Sequence, residues 1–251
     1  MSLDGKCAFI TGAASGIGQG VAVRTAARGA HVVCADIQDA SVTVKMIQEA
    51  GGSAEPVLID VSSAQDWTEA VSAVVGRTGR LDLLANVAGI TPGASGSAGD
   101  TVLNLDEATW SRVLDINLKS VWLGMKAVIP HMREAGVGRI VNTSSISALR
   151  GMPGMAAYAA SKGGIQALTQ QAAAEYAADG ILVNAIAPGM ILTPVKLSNV
   201  DIFQEVAAEK HLVPRLGEAT EVGDVVVFLF DEATFMTGQV LPVDGGWTAR
   251  G

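Results

Sequence analysis

The sequence predicts an α/β fold in which helices cover both faces of a doubly wound, parallel sheet of about seven strands. Short apolar runs alternate with longer helical segments along the whole chain. Several runs, among them residues 7–10, 31–35 and 181–186, are mainly apolar at consecutive positions, as strands buried on both faces require. Only 4% of the 251 residues are aromatic, whereas Ala, Val and Gly are abundant, and this mixture suits helices packed closely on a sheet.

The amino-terminal half contains four strand–helix units. The strands are predicted at residues 6–11, 31–36, 54–60 and 81–86, and the helices at residues 16–28, 40–50, 63–78 and 106–134. Because strand and helix alternate strictly, we expect right-handed crossovers and parallel strands. Pro130 falls late in the fourth helix and is expected to interrupt it.

The carboxy-terminal half continues the alternation. Strands are predicted at residues 138–144, 181–187 and 239–243, and helices at residues 157–178 and 221–230. Residues 91–101 are rich in Gly, Ser and Ala, and we interpret them as a long loop at the carboxyl end of a strand, where open α/β folds carry function. No linker divides the chain, so a single domain spanning residues 1–251 is expected.

Composition and charge exclude several classes of protein. With 49% apolar and 17% charged residues, the chain is typical of a well-packed globular protein. The net charge of −8 disfavours nucleic-acid binding, since phosphate neutralisation needs clustered Lys and Arg. Cys7 and Cys34 are expected to be buried thiols, and no Cys or His cluster indicates a metal site. With no amino-terminal leader and no apolar run of membrane-spanning length, a cytoplasmic protein without a membrane partner is expected.

A glycine-rich turn lies between the first strand and the first helix, in the sequence Thr11-Gly12-Ala13-Ala14-Ser15-Gly16-Ile17-Gly18. Such a turn lets the backbone approach a pyrophosphate, and the helix amino terminus adds free N–H groups and the positive end of the helix dipole. Glycine-rich turns without a ligand are also common. The position between strand and helix favours a phosphate-binding turn.

Asp36 ends the second predicted strand, eighteen residues after Gly18. A carboxylate at this position accepts hydrogen bonds from an adenosine ribose and repels a 2′-phosphate, so it favours NAD over NADP. The following residues, Ile37 and Gln38, supply no positive charge for a phosphate. The alternative is that Asp36 is an ordinary turn residue at a strand end.

Tyr158 and Lys162 are four residues apart in a predicted helix, which places the phenol and the ammonium on one helix face. A nearby cation favours the phenolate and is therefore expected to lower the pKa of Tyr158. A tyrosine tuned in this way can exchange a proton with an alcohol or a carbonyl. Taken alone, the pair is as well explained by two surface side chains.

Together, these motifs resemble the short-chain dehydrogenase/reductase family, and the resemblance covers essentially the whole chain. It rests on the turn at residues 11–18, Asn86-Val87-Ala88-Gly89, Asn117, Ser145, Tyr158-x-x-x-Lys162 and Pro188-Gly189. Ser145 precedes Tyr158 by thirteen residues, as in the family. The family often has a second Asn where this chain has Val87, a position that we interpret as structural. The resemblance implies a Rossmann-type fold.

The resemblance also implies roles for individual residues. Tyr158 would be the general acid/base, Ser145 would bind the substrate oxygen, and Lys162 would bind the nicotinamide ribose and lower the pKa of the tyrosine. Asn117 would hold a water that links the lysine to solvent. Ser144 competes for the serine role, but its spacing does not match, and Ser144 and Ser147 are interpreted as local capping hydroxyls.

The cofactor is expected to be NAD. Its predicted site comprises Tyr158, Lys162, Gly12, Ser15, Gly16, Ile17, Gly18, Asp36, Ile37, Asp60, Val61, Asn86, Ala88, Gly89, Pro188, Gly189, Ile191 and Thr193. By the same resemblance, Asp60 and Val61 would flank the adenine, and Pro188, Ile191 and Thr193 would contact the nicotinamide. No metal is expected.

The substrate pocket is predicted from three segments, residues 90–96, 146–155 and 190–212. Apolar side chains dominate them, namely Met152, Met155, Met190, Ile191, Leu192, Val195, Leu197 and Phe203. They favour a weakly polar secondary alcohol or ketone, although these side chains could equally pack a mobile lid at residues 193–212. Arg150 could meet an acidic group or remain solvated. His131 and His211 are interpreted as peripheral.

The predicted activity is NAD-dependent interconversion of an alcohol and a ketone. Two alternatives stay open, namely an NADP-dependent 3-oxoacyl thioester reductase and a dinucleotide sensor without turnover. By the resemblance, the protein is expected to form a homotetramer through the helices at residues 106–134 and 157–178 and through the last strand with its helix.

Overall fold

In the computed structural model, residues 3–91, 100–194 and 200–250 are described. Within these residues, one sheet of seven parallel strands has the order β3-β2-β1-β4-β5-β6-β7, which confirms the predicted fold class. The strands are β1 (Cys7–Thr11), β2 (His31–Asp36), β3 (Ser53–Leu58), β4 (Leu83–Asn86), β5 (Gly138–Thr143), β6 (Ile181–Pro188) and β7 (Val240–Val243). The helices are α1 (Gly16–Ala27), α2 (Ser41–Glu49), α3 (Ala64–Thr78), α4 (Glu107–Leu114), α5 (Ser120–Ala135), α6 (Ala156–Tyr176), α7 (Val200–Lys210) and α8 (Ala219–Asp231).

The strand order reverses between β1 and β4, which are adjacent in the sheet. In a doubly wound sheet, ligands bind at such a switch point, in the crevice at the carboxyl ends of the strands. The glycine-rich turn follows β1, and Asn86 ends β4. The topology therefore brings these two predicted motifs to the same crevice.

Two apolar cores cover the two faces of the sheet, and the pleat of β1 divides its residues between them. Ala8 and Ile10 belong to the core beneath α1 and α8, whereas Cys7 and Phe9 belong to the core beneath α3, α5 and α6. All four side chains are at most 2% exposed. Burial on both faces explains why the strand sequences are continuously apolar.

The fourth predicted helix differs from the structure in two respects. A π-helical turn at Asp115–Lys119 separates α4 from α5. Pro130 lies inside α5, which continues to Ala135, so the expectation that Pro130 interrupts the helix is wrong. Val128, Ile129 and Met132 are buried around the proline, and this packing compensates for the missing N–H hydrogen bond.

The segments predicted to cover the substrate are described only in part. Residues 92–99 of the predicted loop, and Val195 and Leu197 of the predicted lid, lie outside the described residues. The later part of the predicted lid forms helix α7. No helix in the described ranges is both long and apolar enough to cross a bilayer.

Candidate active site

The glycine-rich turn is held tightly against the end of β4. Thr11 Oγ1 accepts hydrogen bonds from the backbone N–H groups of Val87 and Ala88 at 2.9 and 3.1 Å. Gly12 has a φ of +69°, and a Cβ on it would lie 3.0 Å from the Ala88 backbone. A Cβ on Gly18 would lie 2.1 Å from the Gly12 carbonyl oxygen. Larger residues at these two positions would therefore push the turn, β4 and α1 apart.

The amino terminus of α1 carries the chemistry of an anion site. Ser15 is the N-cap, is exposed, and forms no side-chain capping hydrogen bond. The first turn of α1 contains no acidic residue, and Ile17 is only partly buried. Free N–H groups at a helix end stabilise a phosphate through hydrogen bonds and the helix dipole. The turn therefore fits a pyrophosphate.

Asp36 is the last residue of β2, and its carboxylate is directed to the glycine-rich turn. Its two oxygens accept hydrogen bonds from the N–H groups of Ala14 and Gln38 at 3.0 and 2.9 Å. A carboxylate has about four acceptor positions, so two remain for ribose hydroxyls. The neighbouring Ile37 is 65% exposed. Asp36 can therefore hold the backbone at the end of its strand and also accept hydrogen bonds from a ribose.

Asp60 and Val61 lie next to Asp36, because Ile59 N–H donates to the Asp36 carbonyl at 2.9 Å. The Asp60 carboxylate accepts from the N–H and the hydroxyl of Ser62. Val61 is buried in the core beneath α3. These positions border the predicted adenine site.

The end of β4 and the loop that follows it contain both structural positions and positions that can face a ligand. Asn86 is buried and donates to Asn142 Oδ1 at 2.9 Å, so its side chain connects β4 with β5. Val87 packs against the core beneath α1. Ala88 is partly buried and Gly89 is exposed, so both can face a ligand.

The loop after β6 returns to the glycine-rich turn. Thr193 Cγ2 lies 3.2 Å from the position that a Cβ on Gly16 would occupy. A Cβ on Gly189 would lie 2.8 Å from the Asp244 Cα, and Pro188 ends β6. Ile191 is 3% exposed and belongs to the core beneath α1. The backbone of Ile191 is therefore better placed than its side chain to face a nicotinamide.

Asn117 lies in the π-helical turn and is fully buried. Its amide exchanges two hydrogen bonds with the Ile90 backbone at 2.8 and 3.0 Å, and its nitrogen donates to Ser161 Oγ at 3.3 Å. A Cβ on Gly89 would lie 3.0 Å from Asn117 Oδ1 and 3.5 Å from Lys162 Nζ. Asn117 therefore stands beside Lys162 and fixes the loop after β4. Turns of π-helix occur frequently at functional sites.

Three consecutive residues at the end of β5 contact α6. The carbonyl of Thr143 accepts from Lys162 Nζ at 2.8 Å. Ser144 Oγ donates to the Lys162 carbonyl at 2.9 Å and accepts from Gln166 at 3.0 Å, so Ser144 positions the helix backbone. Ser145 Oγ accepts from Ser147 N–H at 3.2 Å and is hydrogen-bonded to Tyr158.

The electrostatics of Tyr158 correct one expectation. Desolvation raises the pKa of Tyr158, and the hydrogen bond from Ser145 only partly offsets this effect. Burial also lowers the pKa of Lys162 to about 8. The lysine Nζ is 5.7 Å from the centre of the tyrosine ring. The expected net decrease in the pKa of Tyr158 is therefore not found in this structure, because desolvation outweighs the hydrogen bond with Ser145.

Sequence reasoning missed two positioning hydroxyls. The sequence predicts Thr11 only as the start of the glycine-rich turn, yet its hydroxyl fixes the end of β4. Ser161 accepts from Asn117 and donates to the Tyr158 carbonyl at 2.7 Å. Its position three residues after the tyrosine, on the same helix, was the available signal. Among the described residues, no group of three or more His, Cys, Asp or Glu side chains could hold a metal ion.

Comparisons with known proteins agree with this geometry. A family model described as enoyl-(acyl carrier protein) reductase matches residues 12–248. The 3-oxoacyl-(acyl-carrier-protein) reductase of Thermotoga maritima is 38% identical, over 98% of this chain and 99% of that protein. The cyclopentanol dehydrogenase of a Comamonas species is also 38% identical, over 99% of both chains.

Solved structures extend the likeness to the fold. Levodione reductase has a TM-score of 0.92 and 34% identity, with 99% of both chains covered. A candidate 2-deoxy-D-gluconate 3-dehydrogenase from Agrobacterium tumefaciens, solved with bound NADP, has a TM-score of 0.89 and 34% identity, covering 99% of this chain and 98% of that chain. These full-length matches, which agree with the geometry of the crevice, show the family of this protein. The chain belongs to the short-chain dehydrogenase/reductase family and is an oxidoreductase whose fold binds a nicotinamide dinucleotide.

Proposed function

We propose that this protein is an NAD-dependent oxidoreductase that interconverts a secondary alcohol and a ketone, with Tyr158 as the general acid/base. The observation that carries this proposal is the convergence of Tyr158, Ser145 and Lys162 at the carboxyl ends of the strands. Asn117 and Gly89 connect this group to the crevice that the glycine-rich turn borders.

The chain's residues would divide the work as follows. When bound, the nicotinamide would accept a hydride from the alcohol carbon or deliver one to the ketone. Tyr158 Oη would take the alcohol proton during oxidation and return it to the developing alkoxide during reduction. Ser145 Oγ would donate to the same oxygen and stabilise its charge. Lys162 would bind the nicotinamide ribose, and Asn117 would keep the adjoining loop in place.

The residues at the predicted adenosine end support NAD. The Asp36 carboxylate would accept from the ribose hydroxyls and repel a 2′-phosphate. The adjacent exposed side chain is Ile37, which offers no cation. NADP remains the competing cofactor, since it is bound in one similar structure.

The substrate that we propose is a weakly polar, alicyclic secondary alcohol or its ketone. Met152, Met155, Met190 and Leu192 are partly buried in the segments that follow β5 and β6, and flexible methionines adapt to a compact apolar ring. The cyclopentanol dehydrogenase acts on such an alcohol, as its name states. This likeness supports the substrate class.

A second candidate is a 3-oxoacyl thioester reductase, favoured by the similarity to the Thermotoga maritima enzyme. The net charge of −8 opposes docking of an acidic carrier protein. The two candidates differ in cofactor and in substrate, so one assay separates them.

The test measures NADH and NADPH formation across cyclic, acyclic and polyhydroxy alcohols, together with reduction of a 3-oxoacyl thioester. The expected result is NAD-dependent turnover, fastest with cyclic alcohols. Tyr158→Phe should lower kcat by about 10²- to 10⁴-fold without weakening NADH binding. Tyr176→Phe, at the other end of α6, is the matched control.

Other outcomes identify the alternatives. Preferred reduction of the thioester with NADPH would support the second candidate. Tight NADH binding without turnover on any substrate would instead indicate a dinucleotide sensor.

We also propose that the protein assembles as a homotetramer, with one interface on α5 and α6. An open, mainly apolar groove there is lined by Leu114, Leu118, Trp122, Ala167 and Leu168. Trp122 is 45% exposed in the single chain. Packing against a second copy would cover this surface.

A further inference from the structure

His211 is a buried side chain at the carboxyl end of helix α7, outside the group of residues around Tyr158. The side chain is 4% exposed, and the backbone N–H of His211 donates to the Ala207 carbonyl at 2.8 Å. The ring Nδ1 lies 2.7 Å from the Arg215 carbonyl oxygen. Because a carbonyl only accepts hydrogen bonds, Nδ1 must carry the proton in this contact.

The second ring nitrogen faces the loop that follows β6. The N–H of Met190 is directed at His211 Nε2 at 3.5 Å. In the neutral ring with Nδ1 protonated, Nε2 is an acceptor, so both nitrogens have suitable partners. The imidazole therefore connects the end of α7 to a residue directly after Pro188-Gly189.

The carboxy-terminal turn closes around the same ring. Trp247 is 8% exposed, and its ring centre lies 5.4 Å from that of His211. A Cβ on Gly245 would lie 3.2 Å from His211 Cβ, Cγ and Nδ1. In addition, Val213 N–H donates to the Gly245 carbonyl at 2.9 Å.

Backbone hydrogen bonds extend this connection toward the predicted nicotinamide end. Gly217 N–H donates to the Met190 carbonyl at 3.0 Å, and Leu192 N–H donates to the Gly217 carbonyl at 2.8 Å. On the other side, Arg150 Nη1 donates to the Trp247 carbonyl at 3.1 Å. Arg150 follows the short helical turn that begins after Ser145.

We propose that His211 is a positioning residue. Together with Trp247, it fixes the loop at residues 188–193 and the carboxyl end of α7 relative to the group of residues around Tyr158. The inference rests on the proposed function, because that loop would contact the nicotinamide and the substrate. His211 touches neither ligand in this proposal. It acts through Met190 and through the carboxy-terminal turn.

Three substitutions separate the two ring contacts. In His211→Asn, the amide can replace the Nδ1 donor but does not reach Met190. In His211→Gln, the longer amide can replace the Nε2 acceptor. His211→Leu removes both contacts and keeps an apolar side chain beside Trp247. His31→Asn is the matched control, since His31 Nδ1 lies 2.7 Å from Ser53 Oγ at the opposite end of the sheet.

The first measurement is hydrogen–deuterium exchange, which requires no turnover. His211→Asn and His211→Leu should accelerate exchange in residues 188–193 about five- to tenfold, and His211→Gln should restore slow exchange there. His31→Asn should leave this peptide unchanged. Equal exchange in wild type and His211→Leu would overturn the proposal, whether or not the protein is active.

The second measurement separates positioning from stability. With the best alcohol, His211→Asn should raise KM for NAD⁺ and alcohol more than it lowers kcat, and His211→Gln should recover most of the loss. Unchanged KM values in all three variants would also overturn the proposal. Absence of turnover in the wild type would instead contradict the proposed function, and the exchange result would still decide the role of His211.

Discussion

At the scale of single residues, the role that we propose for Asp36 is to favour NAD over NADP. Changing Asp36→Asn together with Ile37→Arg removes a negative charge and adds a guanidinium suited to a phosphate. The Asn oxygen can still accept one of the two N–H groups that hold the turn. We expect the ratio of kcat/KM for NAD⁺ over NADP⁺ to fall by about 100-fold or more.

Steady-state kinetics with both cofactors measure this ratio. Asp39→Asn is the control, because Asp39 is exposed and its carboxylate bonds only to Ser41 among the contacts described. A wild-type protein that already prefers NADP⁺ would contradict the interpretation of Asp36.

Lys162 links the site to stability at alkaline pH. Burial lowers its pKa from 10.5 to about 8 in the folded protein. Between these values the unfolded chain binds more protons than the folded chain, so the free energy of unfolding rises with pH. Relative to Lys162→Met, the wild type should therefore gain up to about 3 kcal/mol between pH 7 and pH 10.

Denaturant unfolding of both proteins at fixed protein concentration, repeated across this pH range, measures the difference. Lys45→Met, which removes an ammonium that is 75% exposed on α2, is the control. A constant difference between wild type and Lys162→Met at all pH values would show that the ammonium is not desolvated in solution.

At the scale of elements, the turn between β1 and α1 depends on the absence of a side chain at Gly18. A Cβ there would lie 2.1 Å from the Gly12 carbonyl oxygen, so Gly18→Ala must displace α1 from the turn. We expect the Kd for NADH to increase at least about tenfold. Fluorescence titration with NADH measures this effect.

Gly76→Ala provides the opposite case. Gly76 is exposed within α3, and a Cβ on it meets no atom within 4 Å. Alanine there should raise the free energy of unfolding by about 0.5–1 kcal/mol and leave NADH binding unchanged. If both variants bind NADH as the wild type does, close packing at Gly18 does not matter for the cofactor.

The elements also show what the sequence could and could not predict. Strands such as Cys7–Thr11 are buried on both faces, so their apolar runs predict them well. The π-helical turn at Asp115–Lys119 has no periodic signal, because it adds one residue to a turn without changing the apolar pattern strongly. Pro130 misled the prediction, since local propensity does not report the tertiary packing around α5.

Some features of the candidate site can also be predicted from the sequence, whereas others depend on tertiary contacts. Their spacing along one helix places Tyr158 beside Lys162. Asp36 and Asn86 each end a parallel strand, so both are predicted at the carboxyl ends of the strands. The desolvation that raises the pKa of Tyr158 depends on neighbours from several elements. The contacts of His211 join residues 190, 215 and 247, which no local pattern connects.

At the scale of the whole molecule, contacts between distant segments make the crevice a single unit. The Asp36 carboxylate binds the glycine-rich turn, and Gly12 in that turn lies close to Ala88. The next residue, Gly89, lies close to Asn117 and Lys162. The loop after β6 joins it where Thr193 approaches Gly16. The predicted adenosine and nicotinamide ends are therefore coupled through short, mostly backbone contacts, and a displaced turn should affect both cofactor binding and proton transfer.

The exposed face of α5 and α6 predicts how complete molecules assemble. Trp122 is 45% exposed beside Leu118 and Leu168, and a second copy would bury it. Trp122→Glu would place an unpaired charge in that contact, so the tetramer should dissociate into smaller species at micromolar concentration. Sedimentation velocity measures this change. Val42→Glu, at a position 65% exposed on α2, is the control and should leave the assembly intact. A monomeric wild type would contradict the predicted tetramer, and an unchanged tetramer in Trp122→Glu would place its interfaces elsewhere.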